Sequence, residues 1–435
     1  MTAPDVIVIG GGFAGLSASV RLVLRGARVE LLEARSTLGG RATAFRDPKS
    51  GEWVDNGQHL MLGCYRETFA FLDEIGARDR VRVQASLRVP MVDLEGRATT
   101  LSCPVLPSPL HLLGGLVEWE ALGWLDRLSA VRMVAALVKG ARPAETVEQW
   151  LIRNGQTRRL REMLWDPLAI AALNQEPTHA AAPPFARVVS EMLAAGATGT
   201  SIATPAVPLH EMYAEPARRW LEARGSKVVT GARACVRIQD GVAAAVRTSK
   251  REHRAGAVVV AVPWHALPAA FDGDTAPLSP VLDAASRTSA SPIVTVNVWL
   301  EGRAIEEPLV GLPGRMVQWV FDKRTILGRH ATHLSLVSSA AAPLENLSNE
   351  AIMDRAVDEV RQAIPEVRSS AIVRANVVRE RRATFSLAPG EPPRPAVRTP
   401  ISGLFLAGDW IDTGLPGTIE SAVRSGHMAA EAAAT

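Results

Sequence analysis

The apolar, β-branched run Val6-Ile7-Val8-Ile9 passes directly into Gly10-x-Gly12-x-x-Gly15. Apolar residues then recur with helical spacing at Leu16, Val20 and Leu24, and a second strand over 28–32 ends on Glu33. This is a βαβ unit with a dinucleotide fingerprint, which commits the chain to an α/β fold around a parallel sheet. Gly10 permits the tight turn, Gly12 lets the backbone approach a pyrophosphate, and Gly15 lets helix and strand pack closely. The pyrophosphate would sit on the helix N-terminus, where free N–H groups and the dipole favour anions. Glu33 is placed to accept from ribose hydroxyls and would repel a 2′-phosphate. A Gly-rich turn without a ligand is the blander reading. Strand, turn, helix, strand and acid falling in order argue against it.

The chain has 435 residues, too many for one ordinary core, so two domains or a domain with large insertions are expected. A net charge of +3 gives no case for a nucleic-acid partner. Lysine is rare: Lys49, Lys139, Lys227, Lys250 and Lys323 stand among 48 basic residues. That arginine bias reads as GC-rich coding rather than an anion-binding purpose. Cys64, Cys103 and Cys235 are odd in number and lack metal-ligand spacing, which predicts free thiols, a reducing compartment and no metal. No apolar run reaches the roughly 18 residues of a membrane span. The first apolar stretch ends in the Gly-rich turn and reads as a buried strand, not a signal peptide. A cytoplasmic protein is expected, either soluble or peripheral at the inner face of the cytoplasmic membrane.

Cofactor-type segments recur at 1–63, 215–270 and 397–435, and these are expected to build one discontinuous domain. The middle segment has an amphipathic helix (Ala217, Trp220, Leu221), strands at 227–230, 236–238 and 242–248 with a turn at Asp240-Gly241, and a buried strand at 257–262. The last segment has a strand over 404–407 and a helix after Gly417. Residues 64–214 and 271–396 form an interleaved α+β domain. Within it, 86–101 reads as a hairpin turning at Glu95-Gly96. A helical lobe covers about 105–214, with proline-rich breaks at 104–109, 183–184 and 205–208. Strands are expected at 293–300, 316–322, 332–338 and 371–378. A helix over 349–364 has Ser348 as N-cap and Pro365 as stop.

Further motifs follow the fingerprint: Leu38-Gly39-Gly40-Arg41-Ala42, Asp55-Asn56-Gly57-Gln58-His59, Ala407-Gly408-Asp409-Trp410 and Gly417-Thr418-Ile419-Glu420. Together these resemble the flavin-containing amine oxidase and phytoene desaturase superfamily. The resemblance implies noncovalent FAD held by Gly10, Gly12, Gly15, Glu33 and Ala34, by Gly40 and Arg41, and by Gly57 and Gln58. Near the C-terminus it implies Gly408, Asp409, Gly417, Thr418 and Ile419. A helix opening at 417–419 would stabilise negative charge at the flavin N1/O2 edge. The cysteine context for covalent flavin is missing, since no Cys follows Cys235. Trp410 has no second aromatic at a matching place for an amine-oxidase cage, since Phe385 lies in a different motif.

Within that superfamily, 55–70 (DNGQHLMLGCYRETFA), 160–177 (LREMLWDPLAIAALNQEP) and 381–390 (RRATFSLAPG) resemble the squalene-associated FAD-dependent desaturases, or hydroxysqualene dehydroxylases. The resemblance implies reduction of hydroxysqualene to squalene in bacterial squalene and hopanoid supply. An oxidative desaturase acting on a squalene- or phytoene-type polyene is the alternative, and a noncatalytic isoprenoid-binding flavoprotein the alternative of another class. With one dinucleotide fingerprint present, electrons are expected from an external donor or from direct contact with a reduced nicotinamide.

A proton donor is needed because hydroxide leaves poorly. His59 is one candidate, against a structural bond to backbone. Asp166 is another, with burial to raise its pKa, against a plain Asp-Pro turn. Gln58 would face the flavin or merely pack. Glu176, also before a proline, carries the same ambiguity as Asp166. The leucine- and tryptophan-rich stretch 105–143 reads as a tunnel for a C30 isoprenoid with a membrane-facing mouth, or as ordinary helical core.

Overall fold

The computed structural model describes residues 4–49, 51–302, 304–328 and 332–434. Five parallel strands form the first sheet, in the order Lys227–Val229, Val29–Leu32, Val6–Ile9, Ala257–Val260 and Leu404–Leu406. Every residue of the four strands other than Lys227–Val229 is buried. That is why they read as unbroken apolar runs: helices cover a parallel sheet on both faces, so no polar alternation survives. Three stretches far apart in sequence thus share one sheet. Helix Phe13–Leu24 packs on it and against the C-terminal helix Ile419–Ala433. Gly15 lies so close to the Gly10 carbonyl that a Cβ would collide with it. Leu24, expected on the buried face, is exposed in the last turn.

The hairpin at Asp240-Gly241 forms with both residues in the left-handed region, at φ 52° and 72°. This suits a two-residue hairpin turn. Its strands, Ala234–Gln239 and Val242–Thr248, lie in a four-stranded sheet with Glu252–His253 and Phe271–Gly273.

The third sheet has seven strands, in the order Ile372–Phe385, Ala290–Leu300, Thr332–Ser338, Trp319–Asp322, Leu309–Gly311, Arg88–Val92 and Ala98–Ser102. The hairpin Arg88–Ser102 turns where expected and joins the later strands through Gly311 beside Met91. Two insertions therefore complete one sheet. Strand Leu309–Gly311 was not legible in the sequence, being three residues long. The last strand runs to Phe385 rather than 378, because Arg379, Glu380, Arg381 and Arg382 mask its pattern. Helix Asn349–Ala363 closes one face of this sheet with Ile352, Ala356 and Val360. The Ser348 hydroxyl accepts from the Ala351 N–H. Pro365 stops it and opens a short helix, Pro365–Arg368.

The other face carries the helical lobe. Trp150 and Trp165 meet Phe185 edge-on at 6.2 and 6.4 Å. Two proline readings are corrected. Pro183 and Pro184 do not break the chain; they stand in the first turn of helix Ala182–Ala194, where a missing N–H costs nothing. Asp166-Pro167 is not a turn. It continues a helix capped by Thr157, directly after a π-helical turn, Arg161–Trp165, that absorbs the missing proline N–H.

Candidate active site

Helix Phe13–Leu24 starts at Gly12, which has no side chain to cap it, so its first-turn N–H groups face outward for an anion. Gly10 makes the turn at φ 108°. Across from Gly12 stands Gly40, so close that a Cβ on Gly40 would come within 3.3 Å of the Gly12 Cα. The two glycine segments thus form one bare backbone cradle, which any side chain would fill. Tyr213 fixes it, stacking on Phe13 with ring centroids 3.5 Å apart and donating to the Gly39 carbonyl at 2.6 Å. These features fit a pyrophosphate. Glu33 is buried, and its carboxylate accepts the N–H groups of Gly11 and Arg35, both at 2.7 Å. Each oxygen retains a lone pair for ribose. Ala34 is exposed beside it.

The second cluster joins Arg41 to the C-terminal segment. Its guanidinium pairs with the buried Asp409 carboxylate and donates to the Ala383 carbonyl at 2.8 Å. The Gly408 N–H donates to Ser425 Oγ at 2.8 Å. A Cβ on Gly417 would sit 3.5 Å from Asp409 Oδ2 and 3.0 Å from the Phe385 ring. Thr418 caps helix Ile419–Ala433 by accepting from Ser421 N–H. Arg41, Asp409, Gly417, Thr418 and Ile419 therefore converge. Phe385, which belongs to another motif, is brought here after all, edge-on to Trp264 at 6.1 Å. Trp410 is buried in the core of the first sheet. Glu420 turns away from this cluster: it accepts from the Glu67 and Thr68 N–H groups and from the Thr68 hydroxyl, tying the last helix to helix Arg66–Glu74. Burial raises its pKa against those bonds.

The third cluster is the loop after strand Trp53–Asp55. Lys323, only 1% exposed, donates to Asp55 Oδ2 at 2.5 Å and to Gln58 Oε1 at 2.6 Å. The other Asp55 oxygen accepts from the Leu209 N–H at 3.0 Å. Asn56 donates to Glu380 at 2.9 Å and to the Arg41 carbonyl at 3.2 Å, which docks Gly57, Gln58 and His59 beside the second cluster. His59 Nδ1 lies 3.0 Å from the Gly57 carbonyl. Only a donor satisfies a carbonyl, so Nδ1 carries the proton and Nε2 of the neutral ring is an acceptor. Burial lowers the His59 pKa, opposed by the Gly57 bond and the Asp55 charge. In its neutral form this histidine has no proton to give from Nε2.

Asp166 stands elsewhere. It lines a cavity of about 210 Å³ between the helical lobe and the seven-stranded sheet, with Glu148, Glu162, Glu176 and Trp319. None of the residues in the three clusters lines that cavity. Burial pushes the Asp166 carboxyl up to about 6, against the pull of Arg161. Burial also raises Glu176. No group of His, Cys, Asp and Glu able to hold a metal exists among the described residues.

The family model for flavin-containing amine oxidoreductases matches residues 13–434, and the chain belongs to that family. It is an FAD-dependent oxidoreductase. The hydroxysqualene dehydroxylase of Rhodopseudomonas palustris is 31% identical over 98% of this chain and 97% of its own length. The 15-cis-phytoene desaturase of Glycine max is 24% identical over 98% of this chain and 79% of its own. An oxidoreductase from Methanosarcina mazei has the same fold, with a TM-score of 0.76 at 19% identity over 98% of this chain and 99% of that one. The resemblance read from the sequence is therefore upheld. Sequence reasoning missed Lys323, Tyr213 and Trp264. The one available signal was a lysine two residues past the apolar run Trp319-Val-Phe in a chain that otherwise favours arginine.

Proposed function

We propose that this enzyme reduces hydroxysqualene to squalene in bacterial squalene or hopanoid supply. Full-length similarity to a hydroxysqualene dehydroxylase carries the reading. In this reaction the C–O bond breaks, the hydroxyl takes a proton and leaves as water, and a C–H bond forms at the same carbon. Reduced flavin supplies the hydride. The cradle at Gly10, Gly12, Gly15 and Gly40 would hold the pyrophosphate, Glu33 and Ala34 the ribose end, and Arg41, Asp409, Gly57, Gln58, Gly417, Thr418 and Ile419 the ring end. Leu60, next to this loop, is packed against the apolar core of the helical lobe, as are Leu387, Ile293 and Trp319, an apolar setting suited to a C30 chain. Gln58 is the amide donor of the ring-end set. His59 serves as a positioned acceptor, and Asp166 acts away from this centre. A single fingerprint implies an external electron donor.

Peripheral membrane contact is part of the proposal. Helix Trp124–Lys139 turns Ser129, Ala130, Met133 and Ala136 inward and a row of large apolar residues outward. Trp124 is 75% exposed and Val138 86%, with Leu125, Leu128, Val131 and Val134 between them. A face of that kind suits a bilayer surface. No helix among the described residues is long and apolar enough to cross a membrane.

Incubating anaerobically reduced enzyme with hydroxysqualene tests the reading, with squalene and reoxidised flavin as the expected result. The second reading, oxidative desaturation, draws on the likeness to a phytoene desaturase. It predicts no squalene, and a more unsaturated polyene from oxidised enzyme.

A further inference from the structure

We propose that Lys323 is a positioning residue that sets the orientation of the Gln58 amide, so that the site meets the substrate hydroxyl with a hydrogen-bond donor. The inference rests on the reading above and concerns how that site tells an alcohol from a hydrocarbon. Lys323 follows strand Trp319–Asp322, and Asp322 fixes the turn by accepting from the Arg324 N–H at 2.8 Å. The ammonium is buried and offers only donors. It spends one on Asp55 Oδ2 and one on Gln58 Oε1. An inverted Gln58 amide would set its NH₂ against the ammonium, so the oxygen must face Lys323 and the nitrogen must face away.

The amide nitrogen has two protons. One reaches the His59 carbonyl at 3.3 Å, a long bond. The other remains for a ligand. Gln58 is half-buried whereas Lys323 and Asp55 are buried, so Gln58 is the member of this trio that a ligand can reach, and its oxygen is already engaged by Lys323. An amide donor suits an alcohol oxygen. It gains nothing from the hydrocarbon product, which has no acceptor. The buried Asp55 carboxylate holds the Lys323 side chain in place.

The test compares binding of hydroxysqualene and squalene to oxidised, FAD-loaded enzyme in detergent, followed by perturbation of the flavin spectrum rather than by turnover. A neutral hydrogen bond corresponds to roughly two- to tenfold in affinity. Wild type is expected to favour the alcohol by about that factor. Lys323→Met frees the amide to turn and should abolish the preference. Gln58→Glu keeps a partner for Lys323 but removes the donor, and should do the same. Because Lys323→Met leaves Asp55 buried without its cation, the pair Lys323→Met with Asp55→Asn removes both charges and controls for misfolding. A preference that survives in the FAD-loaded double variant overturns the role of Lys323, and squalene formation by wild type then still stands. Failure of wild type to form squalene overturns the underlying reading instead.

Discussion

Arg41 and Asp409 form an ion pair across 368 residues of sequence, joining the Gly-Gly-Arg segment to the last strand–helix unit. The carboxylate is buried and the guanidinium also spans the ring of Trp264 at 5.7 Å. Removing one partner of such a pair strands the other. Asp409→Ala should weaken FAD retention by roughly tenfold or more, since even about 1.4 kcal/mol gives that factor. The ratio of flavin to protein absorbance after dialysis measures it. Full retention would contradict the proposed role.

Asp166 makes stability depend on pH. Its carboxyl ionises near 3.8 when unfolded and at about 6 when folded. Between those values the folded state holds more protons, so stability falls as pH rises and levels off above the folded pKa. Asp166→Asn removes this penalty, which is on the order of 3 kcal/mol before solvent screening and less after it. Urea unfolding should show the variant more stable at neutral pH and equal to wild type below 3.8. An equal gain at both pH values would exclude burial of the charge as the cause.

The outward face of helix Trp124–Lys139 predicts association with vesicles. Trp124 fluorescence should shift to the blue on adding liposomes. Replacing Leu125 and Val138 with Asp should abolish co-sedimentation. Both residues are exposed, so the melting temperature should barely change. Unaltered sedimentation of the double variant would rule this face out.

Ser348 tests the packing of the seven-stranded sheet. Its hydroxyl caps helix Asn349–Ala363, which covers one face. Ser348→Ala should cost about 1 kcal/mol, read from the urea midpoint, with FAD content unchanged.

The first sheet was legible because a parallel, doubly covered strand is a short apolar run with turn signals at its ends, as in Val6–Ile9 and Ala257–Val260. The cap at Ser348 and the turn at Asp240-Gly241 are likewise local chemistry. Strand Ile372–Phe385 was cut short because the arginines beyond 378 are satisfied by distant partners, such as Asn349 for Arg379. Pro167 misled because a π-helical turn, which no spacing rule announces, admits a proline inside the helix. At the site, glycines declared themselves through spacing. Lys323 did not, because its meaning depends on Asp55 and Gln58, which reach it only through the fold. His59 shows the converse: the sequence offered a proton donor, and one carbonyl 3.0 Å away decides which nitrogen holds the proton.

Strand Val6–Ile9 lies between Val29–Leu32 and Ala257–Val260. During synthesis the opening βαβ unit must therefore wait, one edge unpaired, until well over half of the polypeptide has left the ribosome. Such late closure favours slow folding and gives chaperones a bare strand to shield in the meantime. Coenzyme capture then becomes a late event, since Asp409 and Thr418 arrive later still.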